Sequence, residues 1–273
     1  MIIDFHTHVF PEKIAAATVS ALERIGNTSS FSDGTVNGLI SRMEKAGIGI
    51  SVNLPVITKP SQFDSVLKFA VSLNEVFKNS PSQKPRIISF AGMHPDIDSP
   101  EEKLAIIKES GILGIKIHPD YQGTYIDDER YIRILAEAKR LGLITVTHAG
   151  FDSAYPGQPI KCTPKRVLAV LDKIGGYDKL VLAHMGGNKL FSEVYDLLAG
   201  KDVYFDTAFV LPLFDEEKFK KVLQKHGDKR LLFATDSPWR DTHEDVCIIK
   251  SYSLDPMVEK RIFWENAAEL LKI

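Results

Sequence analysis

The sequence contains little cysteine. Cys162 and Cys247 are the only two among its 273 residues, and neither lies in a CxxC motif or in a cluster of metal-type ligands. This spacing argues against a disulfide framework and against a cysteine metal site. We therefore expect two reduced thiols in an intracellular protein, and no local signature marks either cysteine as a nucleophile.

Long apolar runs and an excess of one charge are also missing. No run approaches the roughly 20 apolar residues that a membrane-spanning helix needs, and residues 1–6 lack the basic and apolar stretches of a signal peptide. The 34 basic and 36 acidic residues nearly balance, so we expect neither nucleic-acid nor membrane binding. We expect a cytoplasmic protein that acts on a small-molecule substrate, and we leave a homodimer open.

Short apolar runs rich in β-branched residues recur along the whole chain. Most are continuously apolar, which is typical of strands buried on both faces of a sheet. The eight candidate strands span residues 2–5, 48–54, 87–91, 113–117, 143–147, 179–183, 203–205 and 231–234. Amphipathic helical patterns lie between them, such as 36–46 ended by Gly47 and 127–141 ended by Gly142. A last helical pattern covers residues 256–271.

Strands that alternate with helices predict parallel strands joined by right-handed crossovers. Eight such units in 273 residues predict an α/β fold of the (β/α)8 TIM-barrel class, as one domain over residues 1–273. A doubly wound open sheet is the alternative, but it usually has a glycine-rich turn after its first strand. Here that strand ends in His6-Thr7-His8. In the long gap that follows, residues 26–34 form a candidate lid or entrance loop.

Histidines are concentrated directly after the candidate strands. Reactive groups of a parallel barrel collect at the C-terminal ends of its strands, so this is the position where a site is expected. His226 and His243 are the two exceptions. The six histidines that follow candidate strands are His6, His8, His94, His118, His148 and His184.

A metal site is predicted from His6, His8, His148 and Asp236. His6 and His8 alternate along the first strand, so both imidazoles point to the same face. His148 and Asp236 follow the fifth and eighth candidate strands. Three nitrogens and one carboxylate oxygen suit Zn²⁺, Mn²⁺ or Fe²⁺ and leave a position for water. The alternatives are structural histidines and, for Asp236, a helix cap or a turn.

Other polar residues at strand ends have predicted roles beside this metal. His184 is a second-metal ligand or a base next to the water, with a buried structural histidine as the alternative. Lys116 in a barrel mouth must be paired, have a lowered pKa, or be carboxylated and bridge two ions. His118 and Arg240 are candidate substrate-binding residues. Asp4 is a candidate partner that orients an imidazole.

Four segments of the chain resemble segments of a known family. They are residues 3–8, 182–187, 234–239 and 265–268, which read IDFHTH, LAHMGG, ATDSPW and ENAA. Together with His148 they resemble the amidohydrolase superfamily, in particular its amidohydrolase-related (amidohydrolase 2) branch. The resemblance covers residues 2–271. It implies a barrel of the metal-dependent hydrolase type, with a divalent metal, often Zn²⁺, held by the residues matching His6, His8, His148 and Asp236. It also implies that His184 lies beside the metal-bound water.

The segment around Lys116 bears on the number of ions. Residues 114–118 resemble the urease segment in which the lysine is carboxylated and bridges two metals, whereas most one-metal members lack that bridge. The expectation is therefore one or two ions. TatD-type nucleases, which are also related, typically have a glutamate on strand four. None occurs between residues 111 and 118, which argues against a nuclease.

The resemblance implies two reactions, because the branch contains both hydrolases and non-oxidative decarboxylases and a fold does not fix a reaction. The first hypothesis is hydrolysis of a small amide, ester or lactone by a metal-activated water, with Asp236 and His184 as the catalytic residues. The second is decarboxylation of a small carboxylic acid in the same site. Asp236 or His184 would then protonate the carbanion-like centre. A third hypothesis, a non-catalytic ligand-binding barrel, leaves the full ligand set unexplained.

The role of Lys116 gives a first prediction. If its amine is carboxylated, the protein binds close to two ions per chain, and Lys116→Ala loses the second because the bridging carbamate is gone. Metal analysis of both proteins by mass spectrometry measures this. One ion in both proteins would reject the bridge.

Overall fold

The computed structural model describes residues 1–78 and 85–273. Every pairing between neighbouring strands is parallel, as predicted. The strands in this part of the chain are β1 (Ile3–Thr7), β2 (Ile50–Asn53), β3 (Arg86–Ser89), β4 (Ala91–Gly92), β5 (Gly114–Ile117), β6 (Ile144–Thr147), β7 (Leu180–Leu182), β8 (Tyr204–Asp206) and β9 (Leu231–Leu232).

The third predicted strand is divided in two at Phe90. β1, β2 and β3 form one sheet, and β4 to β9 form a second in sequence order. The Phe90 N–H donates to the Asn53 carbonyl at 2.9 Å, so the chain stays beside β2 as it passes between the sheets. The fully buried Phe90 ring also packs edge-to-face on Phe5. These contacts keep the two sheets continuous.

The first and last strands of the chain are neighbours. The Phe5 N–H donates to the Phe233 carbonyl at 2.9 Å, and the Asp236 N–H donates to the His6 carbonyl at 2.8 Å. Thr7 and Ser237 form a parallel bridge. With the sequential order of the other strands, this is the predicted (β/α)8 barrel, and it puts His6 and Asp236 on adjacent strand ends.

Helices connect the strands on the outside. Within residues 1–78 and 85–273, no helix is both long and apolar enough to cross a membrane. The helices of this part are α1 (Glu12–Gly26), α2 (Val36–Ala46), α3 (Phe63–Lys78), α4 (Pro100–Glu109), α5 (Glu129–Arg140), α6 (Pro164–Ile174), α7 (Phe191–Leu197), α8 (Glu216–His226), α9 (Thr242–Ser251), α10 (Pro256–Lys260) and α11 (Asn266–Leu271).

Local sequence explains where helix α2 begins and ends. The Thr35 hydroxyl accepts the Gly38 N–H at 2.9 Å, and Gly47 ends the helix in the left-handed conformation with φ of 71°. The bounds therefore equal those predicted. The pattern at residues 256–271 is instead interrupted by a π-helical turn, Arg261–Glu265, between α10 and α11. Helix α1 was not predicted from the sequence.

The candidate entrance loop lies beside the predicted metal ligands. Its Phe31 N–H donates to the Pro238 carbonyl at 2.7 Å. Pro238 is two residues after Asp236, so the loop after α1 is held against the segment that carries this aspartate. The hydrogen bond fixes the position of the loop, and its role as a lid stays a prediction.

Close strand packing generates a stability prediction at Gly114, the first residue of β5. A Cβ there would lie 2.5 Å from the Ile144 carbonyl oxygen and 2.6 Å from the Phe90 ring. Gly114→Ala should therefore lower the free energy of unfolding by about 1–3 kcal/mol, measured by urea denaturation. Gly26→Ala is the matched control, because a Cβ in this last turn of α1 meets only ordinary contacts at 3.5 Å or more. A Gly114→Ala protein as stable as the control would contradict the prediction.

Candidate metal centre

Three polar side chains from the first and last strands converge at one point. The Nε2 atoms of His6 and His8 lie 3.3 Å and 3.1 Å from the same oxygen, Oδ1 of Asp236. His6 is 1% exposed and Asp236 is 8% exposed. These three were predicted as ligands of one ion, and their ligand atoms do lie together.

Hydrogen bonds to the opposite ring nitrogens fix which atoms of these histidines carry protons. His6 Nδ1 lies 2.9 Å from Oδ2 of Asp206, and His8 Nδ1 lies 2.9 Å from the Leu54 carbonyl oxygen. Both partners only accept, so each Nδ1 must donate. In a neutral imidazole, Nε2 then keeps its lone pair. Both lone pairs consequently face a carboxylate oxygen.

Such an arrangement of acceptors is repulsive unless a positive charge lies among them. A second proton on His8 would satisfy its contact with Asp236, and so would a divalent cation between the ligand atoms. Imidazole nitrogen and carboxylate oxygen are the ligands that Zn²⁺, Mn²⁺ and Fe²⁺ prefer. An outer hydrogen bond from each Nδ1 is also typical of metal-binding histidines. The residues present therefore fit a divalent metal ion.

Asp236 is held in a strained backbone conformation by Asp4. Its φ is 70°, which non-glycine residues rarely adopt. Asp4 accepts the Thr235 N–H at 2.9 Å and the Thr235 hydroxyl at 2.6 Å, which holds the residue before Asp236 in place. Burial raises the pKa of Asp4 to about 7. Asp4 thus positions the backbone that carries Asp236, whereas we expected it to orient an imidazole ring.

The carboxyl of Asp236 stays ionised. Burial by itself would raise the pKa of Asp236, but His6 and His8 hold this pKa well below its usual value, an effect that each imidazole exerts only when its Nε2 carries a proton. Burial, followed by the nearby Lys116, keeps the pKa of His6 well below its usual value. The pair therefore offers a negative oxygen and a neutral nitrogen near pH 7, as metal binding requires.

Lys116 on β5 reaches the same centre. It is 1% exposed, and its Nζ lies 3.0 Å from His6 Nε2. Burial lowers the pKa of Lys116 to about 8, although the carboxylates of Asp206 and Asp236 act in the opposite direction. Within residues 1–78 and 85–273, Lys116 has no ion-pair partner at salt-bridge distance. Its amine donates to a nitrogen that is also a candidate metal ligand.

Two further histidines named in the sequence analysis, His118 and His148, form a second cluster, which also contains Asp152. Ligand atoms of His118, His148 and Asp152 lie close together, and His148 is in this group rather than with His6, His8 and Asp236. His118 and His148 stack with ring centroids 4.2 Å apart. His148 Nε2 is 3.9 Å from Oδ2 of Asp152 and 4.0 Å from Oδ2 of Asp120. The assignment of His148 to the first ion stays a prediction.

His184 connects the two clusters. Its Nδ1 donates to the Ala208 carbonyl at 2.9 Å, so its Nε2 is an acceptor and takes the proton of His148 Nδ1 at 3.0 Å. Its ring centroid lies 5.6 Å from that of His6. His184 therefore lies beside the first cluster with both of its ring nitrogens engaged, and its role next to a metal-bound water stays a prediction.

Arg240 and His94 do not join either cluster. The Arg240 guanidinium binds Asp245 at 2.6 Å and Glu244 at 2.9 Å. His94 Nδ1 accepts the Asp96 N–H at 3.1 Å within its own loop. The substrate-binding roles of Arg240 and His118 stay predictions, and any role of Arg240 in substrate binding would have to compete with its two acidic partners.

Three aspartates of this region, Asp120, Asp152 and Asp206, were not among the residues predicted from the sequence. Asp206 directly follows the candidate strand at 203–205, so the rule that found the histidines also marks it. Asp120 and Asp152 lie in the loops after β5 and β6, two residues after His118 and four after His148. Their spacing carries no comparable signal, because only the folded loops bring them to the histidines.

Comparisons with known proteins identify a matching family and solved structures of similar fold. The model of the Amidohydro_2 family, described as amidohydrolase, matches residues 3–273. A search of curated proteins gives no match. A 5-carboxyvanillate decarboxylase from Novosphingobium aromaticivorans, solved with manganese, is 16% identical with a TM-score of 0.74, covering 100% of this chain and 96% of that one. A dihydroxybenzoic acid decarboxylase from Polaromonas, also with manganese, is 16% identical with a TM-score of 0.72, covering 99% and 96%.

The contact between His6 and Asp206 generates a prediction about metal affinity. Oδ1 of Asp206 accepts the N–H groups of His184 and Ala208 at 2.9 Å and 3.1 Å, which fixes the orientation of the carboxylate. In Asp206→Asn the amide nitrogen would face His6 Nδ1 and could not accept its proton. We expect about 10- to 100-fold weaker Mn²⁺ binding, measured by competition with a chromophoric chelator.

Asp202→Asn is the matched control for this measurement. Asp202 also lies next to β8, but its side chain is 63% exposed and pairs with Arg230. Its substitution should leave Mn²⁺ affinity unchanged. Equal affinity in Asp206→Asn and in wild type would show that His6 does not depend on Asp206 for its orientation.

Proposed function

The chain belongs to the amidohydrolase family, and from this premise we propose that it is a divalent-metal-dependent, non-oxidative decarboxylase of a small, hydroxylated carboxylic acid. The sequence predicts hydrolysis as the first hypothesis and decarboxylation as the second. The similar solved structures of known activity named above are decarboxylases of hydroxylated aromatic acids, and this favours the second hypothesis. They share only 16% of their residues with this chain, so the site itself must carry the argument.

The observation that carries the proposal is the buried charge of Lys116. A buried ammonium group without an anionic partner is unfavourable by several kcal/mol, because the protein replaces its hydration incompletely. Among the described residues the Lys116 amine is hydrogen-bonded to His6 Nε2, and the carboxylates of Asp206 and Asp236 act on its charge from beyond salt-bridge distance. A substrate carboxylate would supply the missing partner. A neutral amide, ester or lactone would not.

The metal ion of this proposal would be held by His6, His8 and Asp236. Once bound, it would act as a Lewis acid that polarises a substrate oxygen and withdraws electrons from the reacting carbon. Manganese occurs in both decarboxylase structures, and it is among the ions that the donor set suits. Zinc, which sequence analysis ranked first, has no such support.

Asp236 is the residue best suited to move the proton. Because its carboxylate is ionised, it starts as a base and accepts the proton of a substrate hydroxyl group. It then returns this proton to the carbon that carries the carboxylate. The carbon–carbon bond breaks, its electron pair stays with the ring or chain, and CO₂ leaves. The substrate oxygen regains a proton from solvent, so one proton is consumed for each CO₂ released.

His184 is poorly placed as the base of the hydrolytic alternative, which leaves Asp236 as the other candidate for that role. A hydrolase of this design needs a base that takes a proton from water, and His184 was a candidate. Both of its nitrogens are engaged, one by Ala208 and one by His148. Decarboxylation needs no activated water, so His184 serves it by holding the orientation of its neighbours.

The proposal predicts which substrates are turned over. Mn²⁺-loaded protein should release ¹³CO₂ from hydroxybenzoic acids labelled in the carboxyl group, and it should leave amides, esters and lactones of the same acids intact. Lys116→Met keeps the chain length and removes the charge. It should lower kcat/KM for the acids by about 10- to 100-fold, the range expected for one lost hydrogen bond to a charged group.

Lys179→Met is the control for this substitution. Its Nζ donates to the Gly142 carbonyl at 3.0 Å, outside the two clusters, so turnover should not change. Hydrolysis of the neutral substrates without CO₂ release, at equal rates in wild type and Lys116→Met, would reject the decarboxylase and support the hydrolase.

A further inference from the structure

We propose that Tyr121 is a substrate-binding residue whose hydroxyl group donates a hydrogen bond to the carboxylate of the substrate. The inference rests on the proposed function, because it takes the substrate to be a carboxylic acid. It adds a second, uncharged donor to the Lys116 amine. Tyr121 was not among the residues predicted from the sequence.

Ring stacking places Tyr121 next to the second cluster. It lies in the loop after β5, three residues after His118, and its N–H donates to His118 Nδ1 at 3.3 Å. The two rings stack with centroids 4.1 Å apart. The other stacking partner of His118 is His148, with centroids 4.2 Å apart. The phenol ring is therefore the third in a column of rings that begins at a predicted metal ligand.

A further ring contact holds Tyr121 from the loop after β6. The ring of Tyr155 meets that of Tyr121 edge-to-face, with centroids 5.7 Å apart. Tyr121 is only partly buried, so its ring is fixed by neighbours while part of the side chain stays accessible. A side chain that is already positioned in this way loses little further freedom when a ligand binds.

Among residues 1–78 and 85–273, the hydroxyl group of Tyr121 forms no hydrogen bond. The contrast is with three tyrosines of the protein interior. The hydroxyl groups of Tyr131, Tyr177 and Tyr252 donate to oxygens of Gln122, Leu143 and Phe214. Those hydroxyl groups serve packing, whereas the one on Tyr121 remains available to a ligand.

The surroundings of this hydroxyl group are acidic. Burial raises the pKa of Tyr121, and the carboxylates of Asp152, Asp236 and Asp120 raise it further. The phenol therefore stays protonated near pH 7 and acts as a donor. Its hydroxyl group is also within electrostatic reach of Asp236, the residue to which we assign the proton transfer.

The balance of donors and acceptors points to the substrate carboxylate. Within residues 1–78 and 85–273, neither Asp120 nor Asp152 pairs with a lysine or arginine, and both can only accept while ionised. Because His118 Nδ1 accepts, its proton is on Nε2, which lies 3.4 Å from Oδ2 of Asp152. A substrate hydroxyl group can donate to such acceptors, but a carboxylate only accepts. The carboxylate therefore needs donors, and Tyr121 supplies one in addition to Lys116.

Direct binding measurements test the proposal independently of turnover. Calorimetry with Mn²⁺-loaded protein gives Kd for a panel of hydroxybenzoates. Tyr121→Phe keeps the ring and removes the hydroxyl group. It should bind these acids about 10- to 100-fold more weakly than wild type, the range expected for one lost hydrogen bond to a charged group. Its Mn²⁺ affinity and its Tm should not change, because the ring stack is retained.

Two further variants separate the hydroxyl group from the ring. Tyr121→Leu removes both, and it should bind the acids no more tightly than Tyr121→Phe. Tyr125→Phe is the matched control, because Tyr125 lies in the same loop and its ring contacts the cations of Lys161 and Arg166. This variant should bind the acids as wild type does.

Each outcome bears on a different claim. Wild-type affinity in Tyr121→Phe with weak binding in Tyr121→Leu would overturn the proposal and leave Tyr121 only a packing role on His118. A wild-type protein that binds none of the hydroxybenzoates would also overturn it. Weaker binding in Tyr121→Phe without any CO₂ release would support the proposal and reject the decarboxylase alone. CO₂ release with equal affinity in wild type and Tyr121→Phe would reject this proposal alone.

Discussion

The site depends on acceptor groups that take the Nδ1 protons of its histidines. The Leu54 and Ala208 carbonyls and the Asp206 carboxylate bind the outer nitrogens of His8, His184 and His6. Each of these rings therefore turns a lone pair toward the interior of the site. Because Asp236 faces two of these lone pairs, the centre is stable only with a positive charge among its ligand atoms. A proton, the Lys116 ammonium or a metal ion can provide that charge.

The barrel can hold such a centre because its strands end side by side. Backbone hydrogen bonds between β1 and the segment after β9 set His6 next to Asp236. The buried carboxylate of Asp206 then serves two functions, since one oxygen orients His6 and the other accepts the His184 N–H. These ligands are thus oriented by hydrogen bonds before any ion binds, and such pre-organisation reduces the entropy lost on binding.

His184 makes the two clusters a single hydrogen-bonded unit. The Ala208 carbonyl orients the His184 ring, and His184 in turn orients the ring of His148 through their hydrogen bond. In the second cluster His148 faces Asp120 and Asp152. The first cluster comes mainly from strand ends, whereas both aspartates come from loops. In barrels of this kind the strand ends commonly fix the reactive groups, and the loops determine what binds beside them.

The sequence alone determined the strand and helix alternation, and hence the parallel barrel. Buried strands appear as short apolar runs and helix ends as capping residues, and both are local patterns. It also marked His6, His8 and Asp236, since each directly follows a buried strand. Tertiary structure decided which ring nitrogens bear protons, and it placed His148 beside His118 and His184. It also brought Asp120 and Asp152 to His148. Those features depend on contacts between residues far apart in the chain. Hydrophobic periodicity is a property of neighbouring residues, so it cannot predict such contacts.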